Sequence, residues 1–155
     1  MRSKPSKKRP IELDPVYKSK VVTRMINLLM MHGKKSIAQT ALYDVLNMLN
    51  EDKKEAGTMF ETAVKNVMPI QEVRSRRVGG ATYQVPMPVK HERAEALAIR
   101  WIIDAARKKS GKTIVERLFE EIKNAQVGMG DAMKKREETH RMAEANRAFA
   151  HFAKY

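Results

Sequence analysis

Apolar residues recur at helical spacing along most of the chain, and the interruptions mark its turns. Val21, Val22, Met25, Ile26, Leu28 and Leu29 predict a helix from Lys20 to Met31, with Gly33 suited to the left-handed position beyond its end. Ile37, Ala41, Leu42, Val45, Leu46 and Leu49 form the stripe of a second helix from Ser36 to Leu49. Glu51-Asp52-Lys53-Lys54 reads as a polar connection. Thr58-x-x-Glu61 after Gly57 is a capping box, which opens a third helix carrying Phe60, Ala63, Val64 and Val67 and ended by Pro69. From Glu92 to Lys109 most of a helical circumference is apolar, including Ala98, Ile99, Trp101, Ile102 and Ile103, so this helix belongs at the centre of the core. Thr113-x-x-Glu116 caps a fifth helix bearing Ile114, Val115, Leu118, Phe119 and Ile122. After Gly128-Met-Gly130, Asp131 is the expected N-cap of a long last helix, with Met142, Ala145, Phe149 and Phe152 along one side.

Between the third and fourth helices the period changes. Gly79-Gly80 supplies positive φ at both central positions of a type I′ turn, so Val78 pairs with Ala81, Arg76 with Tyr83 and Arg74 with Val85. In this register Pro86 and Pro88 occupy non-hydrogen-bonded positions, where the missing N–H costs the ladder nothing. Arg74 and Arg76 share a face with Tyr83 and Val85, and Arg77 points the other way. Neither face alternates like a strand laid on a core, and a lone ribbon is marginal in water, so its outer part leans on something else. The expected fold is mainly α: a single six-helix domain over 16–155, with a hairpin arm at about 72–89 protruding from it.

Charge decides what such a fold is for. The 155 residues hold 31 Lys and Arg against 18 Asp and Glu, a net +13, which points to a polyanionic partner. Residues 1–15 form a basic N-terminal arm whose first ten residues carry five cations and no acid, too few apolar groups to order alone. Three arginines within four residues beside Tyr83 suit phosphate contact and base stacking. Lys34-Lys35 and Lys108-Lys109-Ser-Gly-Lys112 add basic turns. Arg93, Arg100 and Arg107 recur every seven residues; RNA contact and pairing with Asp104 are both open for them. Arg136, His140, Arg147 and His151 fall on the polar side of the last helix, either as a solvated face or as a second nucleic-acid surface.

Other functions find little purchase. No apolar run approaches the roughly 18 residues of a spanning helix, and none follows the basic start as in a signal peptide. A membrane role is thereby limited to surface binding through a basic amphipathic helix. With no cysteine there is neither disulfide framework nor thiolate metal site, which fits a reducing interior such as a cytoplasm. Ser110-Gly111-Lys112-Thr113 resembles the end of a phosphate-binding loop, but Ala106 stands where that motif needs glycine. The four histidines show no metal-ligand spacing, and no nucleophile stands with a base. An enzyme is not expected, and neither is a cofactor.

Several stretches resemble the bacterial-type small-subunit ribosomal protein seven family. They are Asp14-Pro-Val-Tyr-Lys-Ser-Lys-Val-Val-Thr-Arg24, His32-Gly-Lys-Lys-Ser36, the whole hairpin from Glu72 to Pro86, Ala96-Leu-Ala-Ile-Arg-Trp101 and His140-Arg-Met-Ala-Glu-Ala-Asn-Arg-Ala-Phe149. The resemblance implies a protein that binds the 3′ major domain of small-subunit ribosomal RNA and nucleates assembly of the subunit head. It places the arm and last helix beside exit-site transfer RNA and the messenger path, near small-subunit protein eleven, in a single copy. Some members also repress translation of their own operon messenger. Carried onto this chain, RNA-binding roles fall on Lys4, Lys7, Lys8, Arg9, Lys34, Lys35, Arg74, Arg76, Arg77, Lys108, Lys109 and Lys112. The tip Gly79-Gly80-Ala81, with Tyr83, Arg136, His140 and Arg147, would lie near transfer or messenger RNA. The implied location is the small subunit in a cytoplasm, with a plastid source also open. From the residues alone, the rival is a free-standing messenger- or DNA-binding regulator.

Overall fold

The computed structural model of the chain describes residues 9–154. The expected disordered arm, with Lys4, Lys7 and Lys8, lies largely outside the described residues. Six helices run α1 (Lys20–Leu29), α2 (Lys35–Leu49), α3 (Lys53–Val67), α4 (His91–Lys108), α5 (Ile114–Gln126) and α6 (Asp131–Ala145). The hairpin β1 (Gln71–Val78) and β2 (Ala81–Pro88) is inserted between α3 and α4, and a 3-10 helix over Arg147–Lys154 follows α6.

The core forms because α1 to α5 each turn a continuous apolar stripe inward. α4 packs against α1, α3, α5 and α6, and its Ala98, Ile99, Ile102 and Ala106 are fully buried beside Phe60, Leu42, Leu118 and Ile122. Burying one of the larger of these side chains, such as Ile99 or Phe60, contributes about 1.5–3 kcal/mol, so this shared interior holds the helices at fixed angles. The entry segment is tied to it by Asp14. That buried carboxylate accepts the N–H groups of Val16 and Tyr17 and the Tyr43 hydroxyl, the last at 2.8 Å. Tyr17 packs on Tyr43 with ring centroids 5.5 Å apart.

The hairpin has the register the glycines dictate: Val78 opposite Ala81, Arg76 opposite Tyr83, Arg74 opposite Val85 and Val73 opposite Pro86. Gly79 and Gly80 take φ of 56° and 91°, the left-handed values a side chain resists.

Four local expectations fail, each for a physical reason. Thr58-x-x-Glu61 is not a cap, because α3 starts six residues earlier: Asp52 caps it by accepting the Lys54 N–H at 2.9 Å. Thr58 lies inside the helix, donating its hydroxyl back to the Lys54 carbonyl. Ile37 leaves the buried stripe of α2 and is 64% exposed, since the inward positions of the first turn are taken by Ala38. Asp131 is the first residue of α6 rather than its cap; Gly130, at φ 102°, occupies that position. The last helix is also shorter than its pattern. It stops at Ala145, Asn146 donates its side-chain amide to the Met142 carbonyl at 2.8 Å, and the chain tightens into the 3-10 helix. Met142 and Ala145 are thereby left exposed.

Candidate nucleic-acid interface

The hairpin is built on a two-part anchor. At its base Glu72 is buried, accepting from Arg74 Nε at 2.6 Å on its own strand and from Arg93 Nε at 2.7 Å on α4. Burial pushes the Glu72 carboxyl up, but the hydrogen bonds and charges of Arg93 and Arg74 outweigh it and hold the group below the usual carboxylate range. Arg93 is thus spent on the hairpin, and Arg107 donates to the Leu29 carbonyl at 3.0 Å. Those partners, not Asp104, engage two of the three arginines in the α4 stripe; Arg100 is exposed.

The second anchor is aromatic. Tyr83 packs against Phe149 and Phe152 of the 3-10 helix with centroids 5.3 and 5.0 Å apart. This supplies the support the ribbon lacks by itself, from within the chain, with each ring pair contributing about 0.5–1.5 kcal/mol beyond area burial. It also engages Tyr83, the side chain expected to stack on bases.

The cations fall into two groups. Arg77 is exposed on the far hairpin face, Arg74 remains half-exposed despite its bond to Glu72, and Arg76 is partly buried on the Tyr83 side. The tip Gly79-Gly80-Ala81 is open to solvent, as are Arg9, Lys34, Lys35 and Lys108. Lys34 and Lys35 stand at the N-cap and first residue of α2, where they add to the positive end of that helix's dipole. Arg147 is exposed and pairs only loosely with Glu144, at 3.3 Å.

The others have partners within the protein itself. Lys109 donates to Glu121 at 2.7 Å. Glu121 is fully buried and uses its second oxygen to accept the Ala132 N–H at 2.9 Å. One carboxylate from α5 therefore caps α6 and neutralises a lysine at the end of α4, a contact no local motif announces. Lys112 pairs with Glu120 at the surface. Arg136 donates to the Asn66 carbonyl. The Ile70 N–H donates to His140 Nε2 at 3.0 Å, so that nitrogen must be unprotonated. Burial, and then the neighbouring Arg136 charge, pushes His140 below the ordinary imidazole range. Arg136 and His140 accordingly face the α3–β1 connection instead of forming the expected outer surface.

Sequence reasoning also missed a cleft between α4 and α6, where half-buried Trp101 lies below Lys108, Lys134, Lys135 and Arg141. Its lysines are partly answered by Asp131 and Glu138, and the balanced charge is why no basic run drew notice. Among the described residues no helix is long and apolar enough to cross a membrane, and no acidic or histidine group could hold a metal ion.

Comparison with known proteins fits this geometry. The family described as ribosomal protein S7p/S5e matches residues 1–147. The small ribosomal subunit protein uS7 of Nautilia profundicola is 54% identical over 153 residues, covering 98% of this chain and 99% of the relative. Its counterpart in Fervidobacterium nodosum is 52% identical over 98% and 99% of the two chains, and that of Pelotomaculum thermopropionicum 52% identical over 94% of each. With the match running from the basic arm through the hairpin into α6, the chain belongs to the ribosomal protein S7p/S5e family, a family of structural rather than catalytic proteins.

Proposed function

We propose that this protein is a constituent of the small ribosomal subunit that binds the 3′ major domain of its RNA and nucleates assembly of the head. The observation that carries it is the anchored hairpin. A β ladder pairs the main chain between its strands, Glu72 and the two phenylalanines steady it, and it holds Arg74 and Arg77 at exposed positions with Arg76 beside Tyr83. Lys and Arg on such a platform release counterions from RNA phosphates, giving affinity without reading sequence. Specificity comes from the fit of helical body and arm to a folded RNA junction.

Lys34, Lys35, Arg74, Arg76, Arg77 and Lys108 are the phosphate contacts, joined by Arg9 and by Lys4, Lys7 and Lys8 of the N-terminal segment. Lys112 exchanges its exposed partner Glu120 for phosphate at small cost. Lys109 has no such freedom, because leaving Glu121 would strand a buried carboxylate. The tip Gly79-Gly80-Ala81 and Arg147 lie toward exit-site transfer RNA and messenger, beside small-subunit protein eleven. Tyr83, Arg136 and His140 serve that surface by holding its shape.

Filter binding of the whole protein to a 3′ major-domain RNA fragment and to a scrambled fragment tests this. With roughly 6–10 phosphate contacts, affinity for the true fragment falls about 10³–10⁵-fold between about 50 and 200 mM salt. Equal affinity for both fragments defeats the proposal. Failure to sediment with the small subunit at moderate salt favours a free-standing regulator.

A further inference from the structure

A second surface feature has no role in that account. Where the end of α1 meets the starts of α2 and α5, an apolar groove of about 360 Å3 is lined by buried Leu29 and Ala38, half-buried Ile114, and exposed Met31 and Ile37. Met31 is 55% and Ile37 64% exposed, so packing of the fold accounts for neither. The charged side chains of its lining are Lys34 and Arg107, both cationic, with no acid among them. The bond from Arg107 to the Leu29 carbonyl fixes the guanidinium at the edge. Lys34 makes no side-chain capping bond, so the positive end of α2 opens at the same place.

An apolar interior with a wholly cationic rim suits a ligand that is flat and greasy in the middle and anionic outside. The cleft beside Trp101 is the useful contrast: its four acidic and four basic side chains cancel, which gives it no preference for an anion. Size narrows the choice further. The volume lies near the lower end of the about 300–1,000 Å3 typical of small-ligand pockets, whereas a docked peptide helix needs a longer trough for anchors spaced over two turns. Unstacked RNA bases stack on aromatic or guanidinium planes, and extruded ones are also held between apolar side chains, with their phosphates on basic residues.

We propose that this groove takes one base extruded from the bound RNA, its flanking phosphates resting on Lys34 and Arg107. The inference rests on the RNA-binding reading above and adds a subsite to it. Met31→Ser with Ile37→Ser removes the apolar walls at exposed positions, and circular dichroism checks that helical content is kept. The full-length protein and this variant are titrated against the 3′ major-domain fragment and against copies with single abasic nucleotides. At one position, loss of the base weakens wild-type binding roughly tenfold. The variant binds the intact RNA roughly tenfold more weakly, loses nothing further at that abasic position, and keeps the wild-type salt slope. Wild-type affinity in the variant, or losses that add at every abasic position, overturn the groove while leaving RNA binding standing. So does a variant that binds RNA normally but no longer binds a neighbouring small-subunit protein. Wild-type protein that does not distinguish the true fragment from a scrambled one overturns both readings together.

Discussion

The hairpin and α6 carry similar basic residues, and the structure sets them in opposite surroundings. Along β1 the main-chain groups either pair with β2 or face solvent at the open edge of the ribbon, so Arg77 and the tip have no buried backbone group to serve. Around α6 the main chain is not self-sufficient. The Asn66 carbonyl and the Ile70 N–H lie where α3 gives way to β1, outside either element's ladder, and Arg136 and His140 complete them. The Ala132 N–H at the start of α6 likewise depends on Glu121, and through it on Lys109. What separates a solvent-facing cation from a structural one is therefore whether a sheltered, unpaired backbone group lies nearby. Local charge density does not distinguish them.

The contrast breaks most visibly at the hairpin. Arg74, Arg76 and Arg77 changed together to Ala should weaken RNA binding about 100-fold, roughly 3 kcal/mol, and lower the salt slope by about 2–3. Urea melts and circular dichroism should show the body nearly unchanged, because Arg93 still holds Glu72. Glu121→Ala should do the reverse. It leaves Lys109 and the Ala132 N–H without their acceptor, and stability measured by urea unfolding falls by about 2–3 kcal/mol, below the usual cost of a broken buried pair because Lys109 is partly exposed. The folded fraction binds RNA with an unaltered salt slope.

Arg136→Met keeps the length of the side chain but orphans the Asn66 carbonyl. Unfolding free energy should drop by about 1–2 kcal/mol, with RNA affinity retained. The smallest effect is a pH dependence. His140 has a folded-state value below its unfolded one, so the unfolded chain binds the extra proton first. Its contribution is present above the ordinary imidazole value of about 6.5 and is lost as pH falls from there through the folded-state value. Urea midpoints of the wild type should decline over that range, and those of His140→Leu should decline less. A steeper decline in the variant would mean that the imidazole is not held neutral by Ile70.

Much of this was legible from residue patterns, and the failures have a common cause. The hairpin register follows from Gly79-Gly80 because a one-residue slip would place Pro86 and Pro88 where an N–H is needed. Thr113 and Glu116 form the capping box their spacing predicts. The same spacing at Thr58 and Glu61 misleads, since Asp52 lies six residues upstream and caps first. Glu121 could not be recognised as the cap of α6, because its target is in a different helix and only folding brings them together. Arg136 and His140 were visible as polar residues, but the backbone groups they serve lie about seventy positions earlier. Ile37 fits the α2 stripe by period and is exposed all the same. Periodicity finds faces, and it does not say which part of a face is covered.

The aromatic clasp on Tyr83 bears on how the protein is made. Phe149 and Phe152 are far downstream of the strand they grip, so during synthesis the finger emerges well ahead of the rings that steady it. Until those rings arrive, the ribbon can bend toward whatever it meets. Translation order thus leaves the young finger held at its base by Glu72 and Arg93 alone, and the finished one held by the rings as well.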